Sequence, residues 1–232
     1  IPSAMTRSAE KIIVALDVPS EKEALKLVTD LHSELGLFKI GLQLYTAAGP
    51  GIIGGINFVS KVFLDLKLHD IPNTIANAVE AVSKRGVEML TIHLSGGAEM
   101  IQAATARKGK MSILGVTVLT STNEQTLKQV GVSDRIDNQV LRLAKLGVKN
   151  GVDGIVASAH EIKALRAEFG NKIKIVVPGI RPSWAEAGDQ KRTMTPRDAI
   201  EAGADYLVIG RPITKHANPR EALEKILDEI GT

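Results

Sequence analysis

The sequence predicts one α/β domain with the (β/α)8 architecture of a TIM barrel. Its 232 residues are close to the usual size of one such barrel. Short runs rich in β-branched residues alternate with longer amphipathic stretches, which is the pattern of a parallel sheet with crossover helices. Eight strand–helix units follow one another in an unbroken series, and this favours a closed barrel over an open sheet.

The candidate strands occur at regular intervals along the chain. A doubly wound Rossmann-type sheet is the structural alternative, and it is disfavoured because no GxGxxG motif follows the first strand. The eight candidates are IIVALD (12–17), LFKIG (37–41), VFLDLK (62–67), MLTIHL (89–94), SILGVTV (112–118), DGIVAS (153–158), KIVVPG (174–179) and YLVIG (206–210).

Helix start and stop signals lie between and after these strands. Segment 20–35 opens with a Ser N-cap followed three residues later by Glu, which is the signature of a capping box. Segment 72–86 has proline in its first turn and closes on glycine. Segments 137–151 and 219–231 show similar patterns. We therefore predict helices in all four segments.

The composition and the N-terminal residues indicate the cellular compartment that we expect. The chain has no cysteine, which excludes disulfides, thiolate-ligated metals and a catalytic thiol, and we expect a cytoplasmic protein. No apolar run approaches the roughly 20 residues that a membrane span needs, and the first residues lack the apolar core of a signal peptide. Residues 1–6 are interpreted as an expression scar or disordered lead-in, and residues 7–232 as one barrel domain.

The charge balance argues against nucleic acid as a partner. The formal net charge is +3, from 29 basic and 26 acidic residues, without a run of Lys or Arg. Seven aromatic residues offer few platforms for stacking bases. A small anionic substrate is compatible with the slight positive excess.

Charged residues gather where several predicted strands end. In barrels of this class the catalytic groups sit at the carboxyl ends of the strands. Here these positions hold Asp17, Lys39, Asp65 and Lys67, and Asp70 follows in the next loop. Strand alternation predicts that Asp65 and Lys67 share a face. The alternating signs of Lys39, Asp65, Lys67 and Asp70 would let each charge offset its neighbour and so lower the cost of burying them. A structural ion-pair network is the alternative, but these four charges together favour a catalytic cluster.

A second cluster points to phosphate. Barrels often hold a phosphate with the loops that follow strands seven and eight, and here these loops carry PGIRP (178–182) and IGRPIT (209–214). Gly210 allows close backbone approach, and Arg211 offers a bidentate fork for phosphate oxygens. The long irregular segment 181–196 is interpreted as a functional lid.

Metal and histidine chemistry are less favoured. Asp65 and Asp70 have the ligand type that Mg²⁺ prefers, but the Lys67 charge between them would compete with the ion. His69 and His93 are interpreted as structural hydrogen-bond partners rather than general bases. We therefore expect neither a metal nor a cofactor.

The string FLDLKLHDIPNT (63–74) closely resembles the signature of the orotidine 5′-phosphate decarboxylase family. A bare DxKxxD is shared with related sugar-phosphate barrels, whereas the longer form is specific. The resemblance extends over nearly the whole chain from about residue 10. Its other blocks are IVALD (13–17), FKIG (38–41), HLSGG (93–97), VTVLTS (116–121), PGIRP (178–182), GDQKR (188–192) and VIGRPIT (208–214).

This resemblance implies an activity and its catalytic residues. The reaction is decarboxylation of orotidine 5′-phosphate to uridine 5′-phosphate, in pyrimidine nucleotide synthesis, without a cofactor. Lys67 would donate a proton to C6 of the pyrimidine after carbon dioxide leaves. Asp65 would face the departing carboxylate, and Lys39 would complete the charge array. Asp70 would flank Lys67 from the neighbouring subunit of a homodimer.

The same resemblance implies the contacts that hold the substrate. Asp70, Ile71 and Thr74 are similar to residues that enter the neighbouring subunit's site. The remaining matches are Asp17 and Lys39 for the ribose hydroxyls, Thr120 for the pyrimidine, and Arg181 and Gln190, together with Gly210 and Arg211, for the phosphate.

Two other functions stay open. One is a sugar-phosphate decarboxylase or aldolase-like relative that uses Mg²⁺ and an enediolate, which would share DxKxxD but not HDIPNT or GDQKR. The other is an inactive barrel that binds a nucleotide as a regulator or scaffold. The intact set of charged residues counts against this second alternative.

Overall fold

The computed structural model describes residues 8–185 and 194–231. Its eight parallel strands form a closed barrel in chain order, and β1 pairs with both β2 and β8. The predicted (β/α)8 fold is therefore confirmed. The strands are β1 Ile12–Ala15, β2 Leu37–Gly41, β3 Lys61–Leu68, β4 Met89–His93, β5 Ser112–Val116, β6 Gly154–Val156, β7 Lys174–Val177 and β8 Tyr206–Ile209.

Helices surround the barrel, and several connections contain more than one. Three short 3₁₀ helices, Ala9–Lys11, Leu94–Gly96 and Ala159–Glu161, accompany the α-helices of the described residues. These α-helices are α1 Glu21–Leu31, α2 Leu42–Ala48, α3 Gly51–Asn57, α4 Pro72–Ser83, α5 Gly97–Thr105, α6 Glu124–Gln129, α7 Ile136–Lys149, α8 Ile162–Phe169, α9 Pro196–Ala202, α10 Arg211–Thr214 and α11 Pro219–Ile230.

The four predicted helices are present. The capping box predicted for α1 is only half formed, because the Glu23 carboxylate contacts the Ser20 hydroxyl, at 3.2 Å, and not the Ser20 amide. The Ser20 hydroxyl accepts a hydrogen bond from the Glu23 amide at the start of α1, as an N-cap residue does. Proline occupies the first turn of α4 and of α11. These start signals are local, which explains why the sequence reveals them.

Several predicted strands extend too far at their carboxyl ends. β1, β5, β6 and β7 each end two residues before the predicted limit. At the end of β7, Pro178 has no amide hydrogen to donate, and Gly179 adopts a left-handed backbone conformation with a φ of +75°. The chain therefore leaves the sheet at Val177 and turns into the loop that borders the barrel mouth.

Apolar residues fill the barrel beneath its mouth. An inner cluster, which includes Leu37 and Phe63, lies inside the strands, while a larger cluster lies between the strands and the helices. Because side chains alternate along a strand, Lys39 and Asp65 are the next inward positions after Leu37 and Phe63. The fold thus aims these charges at the carboxyl-end mouth of the barrel.

Parts of the predicted organisation lie outside the described residues. These parts are the lead-in at 1–6 and the centre of the predicted lid, with Gln190. Within residues 8–185 and 194–231, no helix combines the length and apolar character that crossing a bilayer requires. The single-domain boundary at residue 7 stays a prediction.

Candidate active site

Four charged side chains meet at the barrel mouth in alternating order. The Lys39 ammonium lies 3.1 Å from Asp17 Oδ1 and 3.5 Å from Asp65 Oδ2. The Lys67 ammonium lies 2.9 Å from each oxygen of Asp65. Asp65 is thus held between two cations, which compensates for taking its charge out of water.

A bulge in β3 places Lys67 in this array. Leu64 pairs with Leu90 and Leu68 pairs with Ile92, so three residues of β3 stand opposite one residue of β4. Lys67 has a φ of +50°. Within the described ranges, no other non-glycine residue has a positive φ. Such a conformation costs about 1–3 kcal/mol and often marks a functional position.

Asp65 and Lys67 do not meet because they share a face of a regular strand, as the sequence predicted. Regular alternation does not hold between Leu64 and Leu68. The two side chains meet because the irregular backbone redirects Lys67, as bulges do near active sites. The predicted contact is present, but its cause is different.

Thr91 supports the bulge from the adjacent strand, and the sequence reasoning missed it. Its hydroxyl accepts a hydrogen bond from the Lys67 backbone amide at 2.8 Å and donates one to Asp65 Oδ1 at 3.0 Å. The side chain is fully buried. A polar residue at an inward position of the otherwise apolar run MLTI was the available signal.

Asp65 is an anion in this environment. Burial alone would raise the pKa of its carboxyl, but the nearby charges of Lys39 and Lys67, with hydrogen bonds from Lys67 and Thr91, lower the pKa below its ordinary value. The group is therefore ionised at neutral pH. An ionised, largely buried carboxylate can repel a second anion placed beside it.

Two histidines lie beside the array without joining it. The rings of His69 and His93 have centroids 5.7 Å apart. Burial, and then the proximity of His69 and Lys67, lower the pKa of His93. No hydrogen bond joins either imidazole to another of the described residues. The predicted role of these histidines as structural hydrogen-bond partners is therefore not found there.

The structure does not bring Asp70 to the array within one chain. Asp70 is exposed, and its Oδ1 accepts a hydrogen bond from the Ile71 amide at 2.7 Å. Ile71 is 66% exposed, and Thr74 is exposed in the first turn of α4. These three residues form an outward-facing segment next to the mouth. In the described ranges, no group of three His, Cys, Asp or Glu residues could hold a metal ion.

An apolar cavity opens beside Lys67. Its volume is about 150 Å³. Lys39, Asp65 and Lys67 line one part of it, and Thr120 contributes a hydroxyl. The other lining residues are apolar: Phe63, Val116, Val118, Leu119, Val156, Ala157, Pro178 and Val208.

A more polar cleft continues from the array towards the β7 and β8 loops. Arg181, Arg211 and Lys215 all line it, so three cations border one end. Gly210 precedes Arg211 at the start of α10, and a Cβ atom on Gly210 would make only ordinary contacts with Ala15 and Asp17. Lys215 was not predicted, although its position four residues after Arg211, at the C-cap of α10, was a usable signal.

The sequence and the fold both have close counterparts in known proteins. Two proteins named orotidine 5′-phosphate decarboxylase are similar along almost their whole lengths. The one from Trichlorobacter lovleyi is 47% identical over 236 residues, covering 97% of this chain and 98% of that protein. The one from Geotalea daltonii is 46% identical over 236 residues, covering 97% of this chain and 99% of that protein.

Solved structures agree with this similarity. The crystal structure of orotidine 5′-phosphate decarboxylase from Lactobacillus acidophilus superposes with a TM-score of 0.84 at 34% identity, covering 96% of this chain and all of that one. A model described as "Orotidine 5'-phosphate decarboxylase / HUMPS family" matches residues 10–226. This match covers most of the barrel, including every strand, and the chain therefore belongs to the orotidine 5′-phosphate decarboxylase / HUMPS family.

Proposed function

We propose that this chain decarboxylates orotidine 5′-phosphate to uridine 5′-phosphate in pyrimidine synthesis, and that Lys67 donates the proton to C6. The observation that carries the proposal is the Lys67 ammonium, held 2.9 Å from both oxygens of a buried Asp65 at the edge of an apolar cavity. The named relatives support the same reaction.

The cavity and the cleft match the three parts of such a nucleotide. The apolar cavity suits the pyrimidine, with Thr120 as a polar contact. Lys39, which lines both the cavity and the cleft, and Asp17, which lines the cleft, suit the ribose hydroxyls. Arg181 and Arg211 at the far end suit the phosphate, and Arg211 can present two parallel donors. Gln190 is proposed as a further phosphate contact and lies outside the described residues.

The proposed reaction needs one bond cleavage and one proton transfer. The bond between C6 and the carboxylate carbon breaks, carbon dioxide leaves, and the electron pair remains on C6. The Lys67 ammonium then gives a proton to C6 and becomes an amine, which solvent reprotonates. A cation positioned beside the developing carbanion stabilises charge that is absent from the bound substrate, and this lowers the barrier.

Asp65 contributes through its fixed negative charge. Its lowered pKa means that the carboxyl is ionised in the site before a substrate carboxylate arrives. Two carboxylates in close contact repel each other, and loss of carbon dioxide removes that repulsion. Lys39 holds Asp65 from the other side, at 3.5 Å, and keeps the carboxylate in place.

A homodimer with shared sites is part of the proposal. Asp70, Ile71 and Thr74 face away from their own array, so they are available to a neighbouring barrel. Leu42 and Leu119 are 58% and 42% exposed and belong to the linings of the cleft and the cavity, so the mouth also offers apolar surface. The cytoplasmic location and the independence from cofactors stay predictions.

One assay tests the reaction against its alternatives. Loss of orotidylate absorbance is followed with purified protein, before and after exhaustive treatment with EDTA. Turnover that survives EDTA supports the proposal. Turnover that EDTA abolishes and Mg²⁺ restores would favour the Mg²⁺-dependent sugar-phosphate chemistry. No turnover, together with tight binding of uridine 5′-phosphate, would favour the inactive nucleotide-binding barrel.

A further inference from the structure

Thr91 joins the two groups on which the proposed chemistry depends. It is the middle residue of β4, and its side chain has no exposed surface. Its hydroxyl bridges the backbone of Lys67 and the carboxylate of Asp65, at 2.8 Å and 3.0 Å. It lies on the inward face of the strand, two positions after Met89 of the inner cluster.

Because of the bulge, the Lys67 amide needs a hydrogen-bond acceptor other than the backbone of β4. Three residues of β3 stand opposite Thr91 alone, so the regular ladder between the strands is interrupted there. The Lys67 amide hydrogen is directed to the Thr91 oxygen instead. A buried amide without a partner is unfavourable, and the hydroxyl thus supports the backbone conformation, with φ at +50°, that aims the Lys67 side chain.

The direction of the two hydrogen bonds is fixed. A threonine hydroxyl has one proton, together with lone pairs that accept. Because the amide of Lys67 can only donate, the oxygen of Thr91 must accept that bond. Its single proton is then left for Asp65 Oδ1, which as an ionised carboxylate can only accept. Serine could make the same two bonds, and valine, which has nearly the same shape, could make neither.

We propose that Thr91 is a positioning residue for the decarboxylation, and this inference rests on the proposed function. Its hydroxyl fixes the backbone of the proton donor relative to the carboxylate that faces the leaving group. Thr91 lines neither the apolar cavity nor the polar cleft as the structure describes them. It acts through Lys67 and Asp65 and leaves binding of the nucleotide to other residues.

Two substitutions separate the hydroxyl from the shape of the side chain. Thr91→Val keeps the volume and removes both hydrogen bonds, whereas Thr91→Ser keeps the hydroxyl and removes a methyl group. Thr117→Val is a matched control, because the Thr117 hydroxyl is buried and has no hydrogen-bond partner among the described residues. The measurements are kcat and KM for orotidylate, the Kd of uridine 5′-phosphate, and thermal unfolding.

We expect kcat of Thr91→Val to fall by roughly 10- to 100-fold, since small misplacement of a reacting group has effects of this order. The Kd of the product nucleotide should stay within about threefold of the wild type. Thr91→Ser should keep kcat within about threefold, and Thr117→Val should keep kcat unchanged. If Thr91→Val does not fold, Thr91→Ala takes its place, with the same expected loss of kcat.

Several results would overturn this assignment. One is a kcat of Thr91→Val within twofold of the wild type; another is an equal loss in the serine variant. A loss of product affinity in proportion to kcat would show general loosening of the barrel instead of positioning. An inactive wild-type protein would overturn the proposed function as well, whereas an active wild type with an equally active Thr91→Val would overturn only the role of Thr91.

Discussion

The Lys67 ammonium and the Asp65 carboxylate form a two-point contact, with 2.9 Å from the nitrogen to each oxygen. Both groups are charged where the apolar cavity meets the polar cleft. A substrate carboxylate placed there would meet the negative charge of Asp65, while a carbanion left by its departure would be attracted to Lys67. The pair therefore favours the state after bond cleavage over the state before it.

We predict that the free energy of unfolding depends on pH through Asp65. The carboxyl has a lowered pKa in the folded state, so its stabilising contribution is present above its ordinary value of 3.8 and is lost as the pH falls through the folded-state value. The difference in the free energy of unfolding between wild type and Asp65→Asn should therefore be largest near neutral pH. Urea titrations from pH 7 to pH 3 measure it. A constant difference across that range would contradict an ionised Asp65 stabilised by its neighbours.

Removing the proposed proton donor should stop the chemistry while binding continues. Lys67→Ala should lower kcat by at least roughly 10²- to 10⁴-fold, the usual contribution of proton transfer by a positioned side chain. Uridine 5′-phosphate should still bind, which calorimetry can measure. Lys61→Ala is the control, because Lys61 lies at the opposite end of the same strand and its side chain is 66% exposed. Substantial turnover by Lys67→Ala would remove Lys67 as the donor.

The phosphate end of the cleft should contribute to the rate as well as to binding. Arg211→Ala removes a charge-assisted contact, and we expect kcat/KM to fall by the equivalent of about 1.5–3 kcal/mol. Binding energy from a remote group can be used at the reacting centre. Arg135→Ala is the control, since the Arg135 side chain is 74% exposed and lies outside the cleft. Steady-state kinetics on orotidylate measure both variants, and an unchanged kcat/KM in Arg211→Ala would place Arg211 outside the site.

Because Gly41 has no side chain, it leaves room for the side-chain ends of Asp17 and Lys39. A Cβ atom there would lie 2.9 Å from Asp17 Oδ1 and 2.9 Å from Lys39 Nζ, so at least one of these ends would have to move. Its φ of −95° is accessible to alanine, so the backbone itself tolerates the change. We expect Gly41→Ala to lower kcat/KM by roughly 10- to 100-fold with little change in the melting temperature.

The matched control for Gly41 is Gly54→Ala, because a Cβ atom on Gly54 in α3 would meet nothing within 4 Å. This variant should keep its activity. Equal activity of the two alanine variants would show that the array adjusts to the added methyl group without loss. A marked fall in the melting temperature of Gly41→Ala alone would show that the residue matters for folding instead.

The sequence predicted the barrel and most of the array for a simple reason. Alternation along regular strands carries the inward face from Leu37 to Lys39 and from Phe63 to Asp65, and this follows from a period of two. The bulge at Lys67 could not be predicted, because FLDLKL has the same alternating pattern whether the strand is regular or not. The bulge depends on pairing with β4, and its support comes from Thr91, more than 20 residues further along the chain.

The place of the Asp70 side chain also does not follow from the strand pattern. The motif places it three residues after Lys67, but its side chain is exposed and, among the described residues, its hydrogen bond is to the adjacent backbone amide. We therefore predict that it acts in the site of a partner subunit. The test mixes two variants, Lys67→Ala and Asp70→Ala, each nearly inactive alone. In a hybrid dimer with shared sites, one site carries both lesions, and the other takes intact Lys67 from one chain and intact Asp70 from its partner.

Random mixing of equal amounts produces about half hybrid dimers, each with one intact site out of two. We therefore expect roughly a quarter of the wild-type activity, provided that subunits exchange and the sites work independently. Subunit exchange is verified with differently tagged chains, and each variant alone provides the background rate. If Asp70 served its own chain, every site in the hybrid would carry one lesion. Two folded, dimeric variants that exchange subunits and recover no activity would rule out the arrangement in trans.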